Sequence, residues 1–153
     1  MKYPWAFAIA LHQLGTIVWV GGMFFAHLIL RPAVNARLGP PERLPLMQLV
    51  LERFFRWVWV AILLLWASGS WVFLGVYGGR AGMPIHAMMG IAALMTLVFL
   101  FIRMRPYPRM KTAVAASDWP AAAAQLGVIR RLISVNLILG LVTAVVGAAG
   151  PKL

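Results

Sequence analysis

Residues 5–30 read WAFAIALHQLGTIVWVGGMFFAHLIL, and this stretch decides the fold class of the chain. Only His12, Gln13 and His27 interrupt its apolar character. About 20 apolar residues are enough to cross a bilayer as an α-helix. The run is also longer than the apolar region of a signal peptide, which has about 7–15 residues, so it predicts a retained first transmembrane helix.

Three further apolar stretches follow, at about 57–76, 84–102 and 132–149. The chain of 153 residues is 63% hydrophobic and 11% charged, with a mean hydropathy of +0.88. A soluble domain is usually about a quarter charged and a disordered chain has low hydrophobicity, so both classes are excluded. Without cysteine, disulfides and thiolate metal sites are excluded as well. We predict a single all-α membrane domain over residues 1–153, built as an antiparallel bundle of four transmembrane helices.

The charges of the chain lie between the apolar stretches. The 14 Lys and Arg residues outnumber the 3 acidic residues and give a formal charge of +11. The two strongly basic loops contain Arg31, Arg37, Arg43, Arg53 and Arg56, and then Arg103, Arg105, Arg109, Lys111, Arg130 and Arg131. The loop between the second and third stretches has only Arg80, and the termini have only Lys2 and Lys152. Because cytoplasmic loops carry the excess of Lys and Arg, this distribution indicates membrane topology rather than nucleic-acid binding. We predict a multi-pass protein of a bacterial inner membrane with both termini outside.

Small residues let transmembrane helices approach closely, so stripes of small and polar residues predict the packed faces. The predicted stripes, helix by helix, are His12, Gly15, Trp19, Gly22 and Ala26; Ala61, Ser68 and Gly75; His86, Gly90, Ala93 and Leu97; and Asn136, Gly140, Thr143 and Gly147. We expect these stripes to meet in the centre of the bundle, with Asn136 bonding across helices.

The three histidines are the ionisable residues inside the apolar stretches, and such residues are functional candidates because they are costly in a bilayer. At 1.5 Å per residue, His12 lies about 10 Å below the outer surface and His86 about 3–5 Å below it. His27 lies about 22 Å from His12 along the axis, and we interpret it as an interfacial histidine beside Arg31. One function for the outer pair is axial ligation of a b-type haem between the first and third helices, with Trp19 lining the pocket.

The other function open to the outer pair is copper binding. Met83, His86 and Met89 recur every three residues, so a helix places them roughly on one face. Thioether and imidazole ligands suit Cu(I) in a chain without thiols. The candidate metal ligands are therefore His12, His86, Met83 and Met89.

The first apolar stretch also carries a recognisable pattern. It follows H-x2-G-x3-W-V-G-G-x-F-F from His12 to Phe25, and Leu30-Arg31-Pro32 comes shortly after. Together with Pro84-x-His86 and the Met-rich turn that follows, this pattern resembles the CopD family of copper-resistance membrane proteins. The resemblance implies an inner-membrane protein linked to copper import or copper tolerance, with the outer-face histidines of the family at His12 and His86.

The same stretch resembles, more distantly, the HemJ-type protoporphyrinogen oxidases, which are haem-linked four-helix proteins. They share the pattern H-x2-G-x3-W-x2-G-x-F. They also have a Lys two residues after a His at the start of the third span, where this chain has Met88.

Taken together, the residues and the resemblance lead us to expect a copper-binding or copper-transporting protein rather than an enzyme. The alternative is a b-type haem redox protein, either an electron carrier or a HemJ-like oxidase. A third hypothesis is a small scaffold subunit whose histidines only form hydrogen bonds. The expected partners are the lipid bilayer, copper or haem, and a second copy of the chain in a homodimer.

Overall fold

The structure is a computed structural model that describes residues 4–149. Helices are its only regular elements in that range. Lys2 and Lys152, which the topology prediction counted, lie outside the described residues.

Five helices, labelled α1 to α5, form four long rods. The first rod, α1, joins α-helical Pro4–Thr16, π-helical Ile17–Gly21, α-helical Gly22–Phe24, π-helical Phe25–Leu30 and α-helical Arg31–Arg37. The others are α2 (Pro40–Gly75), α3 (Met83–Met104), α4 (Pro106–Ala115) and α5 (Trp119–Ala149), and α4 continues the rod of α3. Each rod is long and apolar enough to cross a membrane, which confirms the predicted all-α, four-helix membrane bundle.

The rods extend beyond the apolar stretches that the sequence marks. The predicted span 57–76 falls in the second half of α2, and the predicted span 132–149 is the second half of α5. The basic segments between spans are therefore largely helical themselves. Which part of each rod crosses the membrane stays a prediction.

The helix boundaries follow from local chemistry. Gly39 is extended, with φ −73° and ψ 168°, and two prolines then open α2 in the first turn, where a missing N–H costs nothing. At the start of α5, the backbone N–H of Ala121 donates to Asp118 Oδ1 at 3.1 Å. Asp118 is thus the N-cap that the sequence Ser-Asp-Trp-Pro favours. In the turn between α2 and α3, Gly78 and Gly79 have φ of 56° and 77°, a conformation that glycine adopts without strain.

The helices pack mainly as two pairs, α1 with α2 and α5 with the α3–α4 rod. The π-helical segments of α1 also contact α2 and α5 and join the two pairs. Aromatic rings fill the centre: Phe55 of α2 lies edge-to-face on Phe99 of α3 and on Tyr107 of α4, at centroid distances of 5.5 and 5.2 Å. The Asn136 side chain of α5 donates from Nδ2 to the Met95 carbonyl of α3 at 3.0 Å, which confirms the predicted bond between helices.

The predicted inward face of α3 is wrong. His86, Gly90 and Leu97 are exposed, and the buried residues of α3 are Met95, Phe99 and Ile102. Gly75 at the end of α2 is exposed as well. Because α3 is apolar on every side, its small residues do not reveal which face the bundle covers, and large side chains fill that face instead. The other three stripes are confirmed at their centres, where Gly15, Trp19, Ala61, Ser68, Asn136 and Gly140 are buried.

Candidate functional site

His12 lies half-buried on α1 and faces α2. Its Nδ1 is 3.0 Å from the Oγ of Ser68, one of two buried polar side chains among the described residues. The Ser68 hydroxyl also contacts the carbonyl oxygens of Leu64 and Leu65 on its own helix. In this geometry the Ser68 hydroxyl donates to the Leu64 carbonyl.

For a neutral imidazole, this arrangement selects the tautomer of the His12 ring. A hydroxyl has one hydrogen, and Ser68 donates it to a carbonyl, so its oxygen accepts from His12. The imidazole therefore carries its hydrogen on Nδ1 and has a lone pair on Nε2. Such a fixed tautomer, with one ring nitrogen donating to a neighbour, is the state in which histidine binds a metal.

Gly69 gives the imidazole room against α2. A Cβ at this position would lie 3.4 Å from His12 Cε1 and 3.7 Å from Nδ1. These are ordinary van der Waals distances, so alanine would fit beside the ring, and only a side chain extending beyond Cβ would compete with it for space. Neither Ser68 nor Gly69 was predicted as a site residue, although a serine on a small-residue stripe in an apolar span was a signal of a polar partner.

His86 stands in the first turn of α3 and is exposed. Its Nδ1 is 3.2 Å from the Gly82 carbonyl oxygen, which accepts a hydrogen bond from Nδ1–H. The ring lies edge-to-face on Phe73 of α2, with a centroid distance of 5.7 Å. The two outer histidines are thus each held by a contact at Nδ1.

The methionines near His86 differ in their surroundings. Met83 is 82% exposed and Met89 is half-buried. Met88 packs against α5, where a Cβ at Gly147 would lie 3.0 Å from its terminal methyl carbon. Met83 and Met89 therefore remain the thioethers on the His86 face, while Met88 is part of the helix contact.

His12 and His86 contact α2 at different places. Their partners Ser68 and Phe73 are five residues apart, which corresponds to about 7.5 Å along the helix and about 140° around it. Within residues 4–149, no group of three or more His, Cys, Asp and Glu side chains is arranged to hold a metal ion. The two imidazoles therefore contact α2 at different positions along and around the helix.

The structure places Trp19 in the apolar core rather than beside an open pocket. It is 2% exposed, and its ring lies edge-to-face on Phe99 at 6.4 Å. The predicted role of Trp19 in lining a cofactor pocket stays a prediction.

His27 belongs to a different part of the bundle. Its Nε2 is 3.1 Å from Ser134 Oγ of α5, and that hydroxyl donates to the Arg130 carbonyl at 2.9 Å. His27 also lies within electrostatic reach of Arg31, the neighbour that the sequence predicted, and of Arg130. It therefore links α1 to α5 at the basic end of the bundle, far from the outer histidines.

The fold and its apolar exterior define a multi-pass α-helical membrane protein. Residues 48–149 match the family model named Copper resistance protein D, and the chain belongs to this CopD family. The matched range begins within α2, after the pattern of α1, and includes the Pro84-x-His86 segment on which the resemblance also rests. The family prediction is therefore confirmed, and the protein is a copper-resistance membrane protein by family.

The chain is also similar to a phosphatidylglycerol–prolipoprotein diacylglyceryl transferase of Helicobacter hepaticus. The two are 26% identical over an alignment of 121 residues. The alignment covers 66% of this chain and 40% of the relative. The chain thus spans about two-fifths of the length of the curated relative that it matches. No solved structure matches the chain.

Proposed function

We propose that this protein binds Cu(I) as a cargo and moves it through the bundle, without catalysing a reaction. The observation that carries the proposal is the Ser68–His12 contact, which leaves the Nε2 lone pair of a half-buried histidine available inside an apolar helix pair. An imidazole with a donor-fixed second nitrogen is a ready metal ligand. The copper-resistance family suggests that the metal is copper. Imidazole and thioether ligands both suit Cu(I).

The first station of the proposed path is the surface of α3. Met83 and His86 are exposed and three residues apart, so they are neighbours on the helix, and Met89 follows after another three. A copper ion arriving from outside would be bound there by one imidazole nitrogen and one or two thioethers. These ligands are neutral, and a singly charged ion then crosses into an apolar bundle at a lower cost than a divalent one.

The second station is His12. Its position beside Ser68 is deeper and less exposed than that of His86, so the ion loses solvent as it passes from one to the other. Separate stations fit transport better than a single tight site, because conduction needs sites that release the ion as well as bind it. In this proposal the bundle lies in the inner membrane, both termini face outside, and the basic segments face the cytoplasm.

The haem alternative has less support. A b-type haem between α1 and α3 needs both imidazoles on one iron. The main contacts of α1 are with α2 and α5. The residues of α2 that the two histidines contact, Ser68 and Phe73, lie about 140° apart around that helix. A haem protein, a HemJ-like oxidase and a homodimer stay predictions that no contact among the described residues favours.

The test is a Cu(I) competition assay with the full chain purified in a neutral detergent. The protein competes for Cu(I) with a chromophoric chelator, and the substitutions are His12→Ala, His86→Ala and, as the matched control, His27→Ala. His27 is also half-buried and also hydrogen-bonded to a serine of another helix. We expect His12→Ala and His86→Ala each to weaken Cu(I) binding at least tenfold, with no change in His27→Ala. Unchanged binding in both outer variants would refute the proposal.

A further inference from the structure

A second candidate site lies at the opposite end of the bundle from the outer histidines. Arg43 and Ser68 are both on α2 and are 25 residues apart, which places Arg43 about 38 Å away along the helix. There a cavity of about 110 Å³ opens between α1, α2 and α5. We call it the arginine cleft, and its lining residues are Arg31, Asn35, Arg43, Leu44, Ala123, Leu126, Gly127 and Arg130.

The three arginines of the cleft differ from the other basic residues in their burial. Arg31, Arg43 and Arg130 are half-buried, whereas every other Lys and Arg between residues 4 and 149 is exposed. The distinction is sharp even between neighbours in sequence, because Arg131 is exposed and Arg130 is not. The general excess of positive charge near a membrane explains exposed arginines. It does not explain why three arginine side chains are partly buried around the same cavity.

These guanidinium groups lack a counter-charge. Arg31 lies within electrostatic reach of both Arg130 and Arg43, so like charges meet in the cleft. Of the three acidic residues of the sequence, Asp118 caps α5, Glu52 lines another cavity, and Glu42 lies at the first turn of α2; none of them lines the cleft. Among residues 4–149, no ion pair or hydrogen bond engages the three side chains. Partly buried donors with no acceptor are costly, and an anion would satisfy them.

We propose that the arginine cleft binds a phosphate-bearing anion. A guanidinium presents parallel N–H donors that match the oxygens of a phosphate group, and three of them from three helices form a cradle. The cavity of about 110 Å³ is several times the roughly 10–15 Å³ that one water molecule needs on the same measure, so it has room for a phosphate group. Basic pockets between transmembrane helices are suited to acidic lipid headgroups, and free phosphate offers the same oxygens.

The geometry also predicts what the anion does to the protein. Arg31 is on α1, Arg43 on α2 and Arg130 on α5, so one anion would bridge both helix pairs of the bundle. Without the anion the three charges repel each other. Binding is therefore expected to stabilise the folded protein, and removing one arginine is expected to leave the ligand-free protein as stable as before, or slightly more so.

Gly127 gives an independent way to close the cleft. A Cβ at Gly127 meets no other atom within 4 Å, so a side chain there extends into open space. Gly127→Leu is expected to fill the cleft while all three arginines keep their charge. It therefore separates the shape of the site from the net charge of the protein.

The experiment follows the melting temperature of the full chain in a neutral detergent by tryptophan fluorescence. The probes are dihexanoyl phosphatidylglycerol, dihexanoyl phosphatidylcholine and inorganic phosphate, titrated separately. We expect an anionic probe to raise the melting temperature, Arg130→Gln to weaken its apparent affinity about tenfold, and Gly127→Leu to abolish the effect. Arg131→Gln is the matched control, since it removes the same charge one residue away, and it is expected to behave as the wild type.

The outcomes separate the sources of the anion and test the site. Stabilisation by phosphatidylglycerol alone identifies a lipid headgroup, and equal stabilisation by inorganic phosphate identifies a free anion. The proposal is overturned if no anionic probe acts more strongly than phosphatidylcholine, or if Arg131→Gln weakens binding as much as Arg130→Gln. It is also overturned if Arg130→Gln lowers the melting temperature without ligand and leaves the ligand effect unchanged. Cu(I) binding by Arg130→Gln is expected to stay normal, so this site and the copper proposal fail separately.

Discussion

Replacing Ser68 by Ala is expected to weaken Cu(I) binding although Ser68 itself binds no metal. The substitution removes the oxygen that lies 3.0 Å from His12 Nδ1 and leaves this N–H without its side-chain acceptor. In membrane bundles a hydrogen bond between helices contributes about 0.6 kcal/mol on average, and at most about 1.7 kcal/mol. The expected loss in the free energy of unfolding is therefore small.

The effect on copper is expected to be larger than the effect on stability. Loss of a partner that orients a metal-bound histidine typically costs about 10–100-fold in affinity. The Leu65 carbonyl also interacts with the His12 ring and can accept part of the hydrogen bond that Ser68 gives up. We therefore expect a loss near the lower end, about tenfold.

The assay is the Cu(I) competition titration, with thermal unfolding of the same samples in detergent. Ser70→Ala is the matched control, because Ser70 is an exposed serine two residues further along α2. If Ser68→Ala and Ser70→Ala bind Cu(I) equally well, the Ser68 contact does not prepare His12 for a metal, and the reasoning from the tautomer is refuted.

Three further predictions test the packing, the helix boundary and the cofactor. Gly140→Ala is expected to destabilise the bundle by about 1–3 kcal/mol in thermal unfolding, because its Cβ would lie 2.7 Å from a methyl of Val20. Gly90→Ala is the control and is expected to be neutral, because a Cβ at Gly90 meets nothing within 4 Å. Asp118→Ala removes the acceptor of the Ala121 N–H and is expected to cost about 0.5–2 kcal/mol, with Asp118→Asn retaining most of the stability. A reduced-minus-oxidised visible spectrum of protein purified gently from its native membrane is expected to be flat, and a haem difference spectrum would favour the redox alternative.

The sequence predicts the elements of this fold better than its faces. The apolar runs and the cap at Asp118 are local features, and both appear in the structure. The buried face of α3 could not be predicted, because a helix that is apolar all round gives no periodic signal. Leu97 and Phe99 are both large apolar residues, yet Leu97 is 63% exposed and Phe99 is 2% exposed. In a bilayer, lipid and protein neighbours are both apolar, so hydropathy does not distinguish them.

The same limit applies to the sites. His12 and His86 were candidates from residue type, depth, spacing and the family pattern. The pairing of His12 with Ser68 joins positions 56 residues apart, and the place of His86 on Phe73 depends on the α2–α3 turn, so neither contact could be predicted. The arginines of the cleft were counted only as topology signals. Their convergence depends on three helices meeting, and nothing in the sequence distinguishes Arg130 from Arg131.

Nitrogen-15 NMR of the histidine rings shows whether His12 presents an unprotonated Nε2 that binds copper. The chain has three histidines, so ring-labelled protein gives few signals, and His12→Ala assigns those of His12. We expect a protonated Nδ1 and an unprotonated Nε2 for His12, with the Nε2 signal shifting when one equivalent of Cu(I) is added. A protonated Nε2, or an Nε2 signal that Cu(I) leaves unchanged, would contradict this expectation.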